Sequence, residues 1–129
     1  MGGDNILHFS TEDEEIADLF WSIGLKRNSA LVLTLMIKDV DFTSREIERM
    51  IDLRQPEVSI AITDLMKRGW VHTVLQITQN KGRPIKVYHV SRSLDEILDE
   101  LKESIIETYE QKCEEIEQVR RLMHDKMAL

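Results

Sequence analysis

Apolar residues recur at helical spacing through most of the chain and switch to a denser, β-branched pattern only between about residues 70 and 90. "TEDEEIADLFWSIGL" has Thr11 at a capping position, acidic residues in its first turn, and Ile16, Leu19, Phe20 and Ile23 as an apolar face. Gly24 suits a helix stop. "NSALVLTLMIKD" restarts with Asn28 or Ser29 as cap and includes Leu31, Leu35 and Ile37, which predicts a largely buried second helix. "DFTSREIERMIDL" predicts a short third helix capped by Thr43 or Ser44, with Glu46 in its first turn and Ile47, Met50 and Ile51 at helical spacing. After a turn at Asp52 to Arg54, "QPEVSIAITDLMKRG" predicts a fourth helix. Its first turn tolerates Pro56, and Gly69 ends it.

Trp70 to Thr78 and Ile85 to Val90 are rich in Val, Ile, Thr and aromatic residues and flank the turn-forming "QNKGRP". They predict a hairpin with a basic tip. Ser91 or Ser93 then caps a helix from Leu94 to about Lys126, which contains neither Pro nor Gly. The fold class expected is mainly α with a small β-hairpin. It comprises a winged helix-turn-helix domain over residues 1–93, with an N-terminal helical extension, and a long C-terminal dimerisation helix over 94–129.

Charge changes this picture by its distribution. The 129 residues carry a net charge of -7. Residues 1–53 and 94–129 are acidic, whereas 54–93 hold Arg54, Lys67, Arg68, Lys81, Arg83, Lys86 and Arg92 against only Glu57 and Asp64. A basic segment between acidic ones keeps nucleic acid in play despite the overall sign. The single cysteine, Cys113, excludes an internal disulfide, and no C-x-x-C pair offers a zinc site. No apolar run approaches a membrane span, and the acidic start lacks the order of a signal peptide, so a cytoplasmic protein is expected. His8, His72, His89 and His124 are scattered, without an H-E-x-x-H, G-x-S-x-G or phosphate-loop motif. Neither catalysis, a metal nor a cofactor is expected. His72 and His89 meet across the expected hairpin more readily as a structural pair than as ligands.

"GLKRNSALVLTLMIKDVDFTSREIERMIDLRQPEVSIAITDLMKRGWV", continued by "KGRPIKVYHVS", resembles the DNA-binding domains of archaeal and bacterial MarR, ArsR and TrmB-type transcriptional regulators. The resemblance covers about residues 24 to 93 and rests on element order together with "QPEVSIAITDLMKRGW" and "KGRPIKVY". It implies a repressor or activator that binds double-stranded DNA.

On the fourth helix, Val58, Ala61, Ile62, Leu65 and Met66 share one face and should pack inward. The opposite face carries Pro56, Ile60, Thr63 and Lys67, with Ser59 and Glu57 beside it and Gln55 at the entry. In helix-turn-helix proteins the start of this helix enters the major groove. Gln55 there suits adenine, Ser59 and Thr63 suit bases or phosphates, and Ile60 with the Thr63 methyl suits thymine methyls. Two readings of Ile60 stay open: thymine contact, or packing on the wing or on a protein partner. Glu57 accepts from cytosine N4 or serves its own helix N-terminus, the second being favoured. Ser44, Arg45 and Arg54 are placed to hold backbone phosphates. At the wing, Lys81, Gly82, Arg83 and Lys86 are candidates for phosphates and the minor groove.

In the last helix, Leu94, Leu98, Leu101 and Ile105 recur as a heptad seam. The seam then continues through Tyr109, Cys113, Ile116, Val119 and Met123, with two four-residue steps that relax the supercoil. One helix does not bury such a seam alone, so a homodimer is the simplest expectation, and with it a roughly palindromic operator, while an antiparallel pairing or a heterologous partner stays open because periodicity does not set orientation. The alternative function is a winged-helix module that binds protein within a transcription assembly. No effector ligand is indicated by any residue.

Overall fold

The computed structural model describes residues 9–77 and 84–128. The elements run α1 (Thr11–Ser22), α2 (Arg27–Met36), β1 (Phe42–Thr43), α3 (Ser44–Ile51), α4 (Gln55–Lys67), β2 (Val71–Ile77), β3 (Pro84–Val90) and α5 (Leu94–Met127). This is a winged helix-turn-helix domain followed by a long helix. It divides into two compact units, Met1–Ser93 and Leu94–Leu129.

The cap of helix α1 lies one residue earlier than the expected Thr11. Ser10 Oγ accepts the Asp13 N–H at 3.2 Å, and Asp13 Oδ2 accepts the Ser10 N–H at 2.8 Å. This reciprocal pair satisfies two donors that a bare helix start leaves unbonded. Asp13 also takes the Lys38 ammonium at 2.9 Å, tying α1 to the end of α2. Burial alone pushes the Asp13 carboxyl up. Hydrogen bonding to Lys38 and to Ser10, with the Lys38 charge, outweighs that and holds its pKa below 3.8.

A carboxyl depressed in the folded state adds stability above its unfolded pKa and loses it as pH falls through the folded one. Asp13→Ala is therefore expected to lower unfolding free energy by about 2 kcal/mol at pH 7, from the lost cap and charge-assisted bond. The deficit should shrink below about pH 4, as the wild type itself protonates Asp13. Urea midpoints at pH 7 and pH 3 measure it; an equal deficit at both would show that the carboxylate charge is not what matters.

The apolar face expected of α1 is only partly inward. Ala17 and Phe20 are buried, while Ile16, Leu19, Trp21 and Ile23 remain exposed. Gly24, at φ 120°, ends the helix in a backbone region that side chains avoid.

Helix α2 is the centre of the unit. Val32, Leu33, Leu35 and Met36 are fully buried, as a helix hydrophobic on most sides requires. It starts at Lys26 without a side-chain cap, rather than at Asn28 or Ser29. Ser29 instead bonds across helices, its hydroxyl donating to Asp64 Oδ2 of α4 at 2.7 Å. Helix α2 packs against α1, α4 and α3, and α3 packs against α4. Ile47 of α3 and Val58, Ala61, Ile62 and Leu65 of α4 close this core. Each large apolar side chain buried there contributes about 1.5–3 kcal/mol. Met66, expected inward, is half exposed at the core's margin, where its sulfur accepts the Thr73 hydroxyl at 3.8 Å.

The sheet has three strands in the order β1-β3-β2, not two. β1 is two residues long, too short for an alternating pattern to be visible in the sequence. It pairs antiparallel with β3, Phe42 opposite Tyr88 and Thr43 opposite Val87. β2 and β3 pair in register from Val71 opposite Val90 to Ile77 opposite Pro84. Phe42, Trp70 and Val71 carry the sheet into the core.

In the second unit, α5 runs for 34 residues, about 50 Å at 1.5 Å per residue. Ile97 and Leu101 are buried, so Leu101 differs from the rest of the expected seam. Leu94, Leu98, Ile105, Tyr109, Cys113, Ile116, Val119 and Met123 are all exposed. No helix among the described residues is long and apolar enough to cross a membrane.

Candidate nucleic-acid interface

The two helices that would meet DNA are joined by a tight turn built from their ends. Thr43 Oγ1 accepts the Glu46 N–H at 3.2 Å and Glu46 Oε1 accepts the Thr43 N–H at 2.8 Å, which fixes where α3 begins. Ser44 and Arg45 follow in its first turn, Arg45 exposed and Ser44 partly so. Asp52, at φ 52°, ends α3 in the left-handed region, so the chain reverses within the residues preceding Gln55. Arg54 sits at this junction, exposed.

Glu57 resolves one of the open readings. Its Oε1 accepts the Arg54 N–H at 2.9 Å, so the carboxylate serves the start of its own helix. That internal role explains why an acidic residue is compatible with this position.

With Val58, Ala61, Ile62 and Leu65 buried, the outer face of α4 is fixed. It presents Gln55, Pro56, Ser59, Ile60, Thr63 and Lys67, all exposed. Ile60 is 66% exposed, so it does not pack on the described part of the wing within its own chain. Thr63 Oγ1 donates to the Ser59 carbonyl at 2.8 Å. Its hydroxyl proton is thus turned along the helix, and what it offers outward is a methyl group and acceptor lone pairs.

The basic residues divide by role. Arg68 lies with Nε 3.7 Å from Asp64 Oδ2 and its guanidinium 5.0 Å from the Trp70 ring centroid, so it braces the end of α4. Lys67 is exposed on the outer face. Lys86 is exposed on β3, opposite Leu75. Lys81, Gly82 and Arg83 lie outside the described residues. One cation was not anticipated from the sequence. Lys26, at the start of α2, lines a surface hollow of about 210 Å³ together with Ser59, Ile60, Thr63, Asp64 and Lys67. Lys26 belongs to the acidic first third of the chain, so a count of charge along the sequence hides it. The Ser29–Asp64 bond, which brings the two helices together, joins residues 35 positions apart and leaves no local signature.

His72 and His89 do meet across β2 and β3, with ring centroids 5.6 Å apart and an edge-on tilt. Each has a structural partner. His72 Nδ1 bonds Ser91 Oγ at 2.7 Å, and His89 bonds Asp41 through Nδ1 while Nε2 lies 3.5 Å from Asp39. The pair therefore ties the sheet to the segment that leads into β1 and α3. Among the described residues, no group of three or more His, Cys, Asp or Glu side chains is arranged to hold a metal ion.

The fold has a precedent among solved structures. A protein described as a possible transcriptional regulator from Methanosarcina mazei Go1 superposes with a TM-score of 0.64 and 12% sequence identity, over 81% of this chain and 86% of that chain. No family model matches the chain, and no curated protein matches it in sequence. At this identity the likeness concerns the fold alone.

Proposed function

We propose that the protein is a transcriptional regulator that binds double-stranded DNA sequence-specifically, as a homodimer on a roughly palindromic operator, and has no catalytic activity. The observation that carries this reading is the two-faced character of α4. Its inner face is buried, and its outer face holds adjacent hydrogen-bonding, methyl-bearing and cationic groups behind a tight turn. That combination matches what a major groove presents: base-edge donors and acceptors, thymine methyls, and phosphates at its walls.

Gln55 addresses adenine, Ile60 and the Thr63 methyl address thymine methyls, and Ser59 and the Thr63 lone pairs address base edges. Pro56 starts the helix without an unsatisfied N–H. Ser44, Arg45 and Arg54 hold phosphates on one side, and the wing residues Lys81, Gly82, Arg83 and Lys86 hold them on another. The exposed seam of α5, from Leu94, Leu98 and Ile105 through Tyr109, Cys113, Ile116, Val119 and Met123, is the surface on which two copies pair.

A second reading draws on the same Ile60 and on exposed Leu19 and Trp21: a winged-helix module that docks on protein. Selection from a random DNA pool at moderate salt separates the two. Enrichment of a two-fold symmetric, A/T-rich sequence supports the regulator; recovery without any enriched sequence supports the module. Once an operator is in hand, Gln55→Ala is expected to lose about 1–3 kcal/mol of discrimination at one adenine. Ile60→Ala should relax the preference for thymine at a neighbouring step with little change in salt dependence. Gel shifts on single-base operator variants measure both, and an unchanged preference in both variants would remove α4 as the reading element.

A further inference from the structure

We propose that Lys26 is a DNA-backbone contact, acting with Lys67 from the two sides of the hollow beside the reading face of α4. The inference rests on the DNA-binding reading above and adds to it a phosphate site built from α2, outside the helix-turn-helix and the wing.

The hollow brings charged, hydroxyl and apolar side chains of two helices together. Lys26 comes from the start of α2, and Ser59, Ile60, Thr63, Asp64 and Lys67 come from α4. Its one acid is already engaged: Asp64 Oδ2 accepts the Ser29 hydroxyl at 2.7 Å and lies 3.7 Å from Arg68 Nε. The same Ser29 bond sets the first turn of α2 against α4, so the backbone that carries Lys26 is placed on the hollow that Lys67 also lines. Thr63 directs its proton to the Ser59 carbonyl, which leaves the two ammonium groups as the strongest outward donors of the hollow. A site with two cations and a neutralised acid takes an anion.

The length of α4 indicates which anion. Gln55 and Lys67 are twelve residues apart, about 18 Å along the axis, whereas the major groove is about 12 Å wide. With the Gln55 end at the base edges, the Lys67 end lies at the groove wall, where phosphates run. Lys26 faces the same wall. A contact of this kind positions the protein and carries no sequence information.

The test is the salt dependence of binding to the selected operator, measured for wild type, Lys26→Ala, Arg45→Ala and, as a remote charge control, Lys112→Ala on α5. Lys26 makes no side-chain cap, so its truncation should leave the thermal midpoint unchanged. Removing one phosphate contact should flatten the slope of log K against log salt by about 0.9 and weaken binding about fivefold near 0.15 M salt. This should hold equally for specific and non-specific DNA. The inference is overturned if Lys26→Ala keeps the wild-type slope while Arg45→Ala flattens it, an outcome that leaves the DNA-binding reading standing. It is equally overturned if Lys112→Ala flattens the slope as much, because the effect would then be one of net charge. A wild type that binds no DNA removes both the inference and the reading beneath it.

Discussion

Ile105→Asp combined with Ile116→Asp is expected to leave the protein folded but monomeric, and to weaken operator binding by about two orders of magnitude or more. Both side chains lie on the exposed stripe of α5 and not among its buried positions, Ile97 and Leu101. Two carboxylates placed in a coiled-coil seam lose hydration without gaining partners, a cost of several kcal/mol. The helix already bears eleven acidic residues against five basic ones within residues 94–129, so further negative charge adds repulsion between copies. Pairing multiplies affinity because the second half-site is bound intramolecularly, typically a gain of about 10²–10⁴. Sedimentation equilibrium and gel shift read the two effects separately. A variant that remains dimeric would exclude this stripe as the pairing surface, and a monomer with wild-type affinity would exclude the two-fold operator.

The second large effect is on stability. Trp70→Ala should cost about 3–5 kcal/mol and lower the melting midpoint by about 12–20 °C. Trp70 is 2% exposed and joins three elements. Its backbone N–H donates to the Leu65 carbonyl at the end of α4 and its backbone carbonyl accepts the Ser91 N–H beyond β3, bonds that the substitution leaves in place, while its ring lies under the Arg68 guanidinium. Losing the ring opens a cavity where α4 meets the sheet, and against a total stability of about 5–15 kcal/mol that is a large share. Trp21→Ala provides the contrast, because Trp21 is half exposed and contacts Arg27 by a single cation–π arrangement. It should cost about 1 kcal/mol or less. Comparable losses in the two variants would contradict the burial that distinguishes them.

The helices were legible in the sequence wherever a cap and a period agreed. Thr43 or Ser44, with Glu46, marked the start of α3, where Thr43 is the cap, and Gly24 and Gly69 marked two ends, because caps and left-handed glycines act over three or four residues. What failed was information held between distant residues. β1 is two residues long and exists because β3 offers it a partner. The outward turn of Ile16, Leu19 and Ile23 follows from how α1 lies on α2, which periodicity alone does not fix. In the candidate site, the exposed face of α4 followed from the apolar stripe behind it. Lys26 did not, because its neighbourhood depends on a hydroxyl and a carboxylate 35 positions apart.

Under the proposed function, the bond between Glu57 and the Arg54 N–H bears on how quickly the protein finds an operator. A bare helix N-terminus holds about half a positive charge and attracts any phosphate, whatever the neighbouring bases. A carboxylate already seated there, as Glu57 is, weakens that indiscriminate attraction at the end of the helix proposed to enter the groove. Most of a chromosome is competing sequence, and occupancy is set by the ratio of specific to non-specific affinity. Under the proposed function, Glu57 lowers the denominator of that ratio. Its removal should lengthen the time spent on irrelevant DNA, even where it strengthens binding overall.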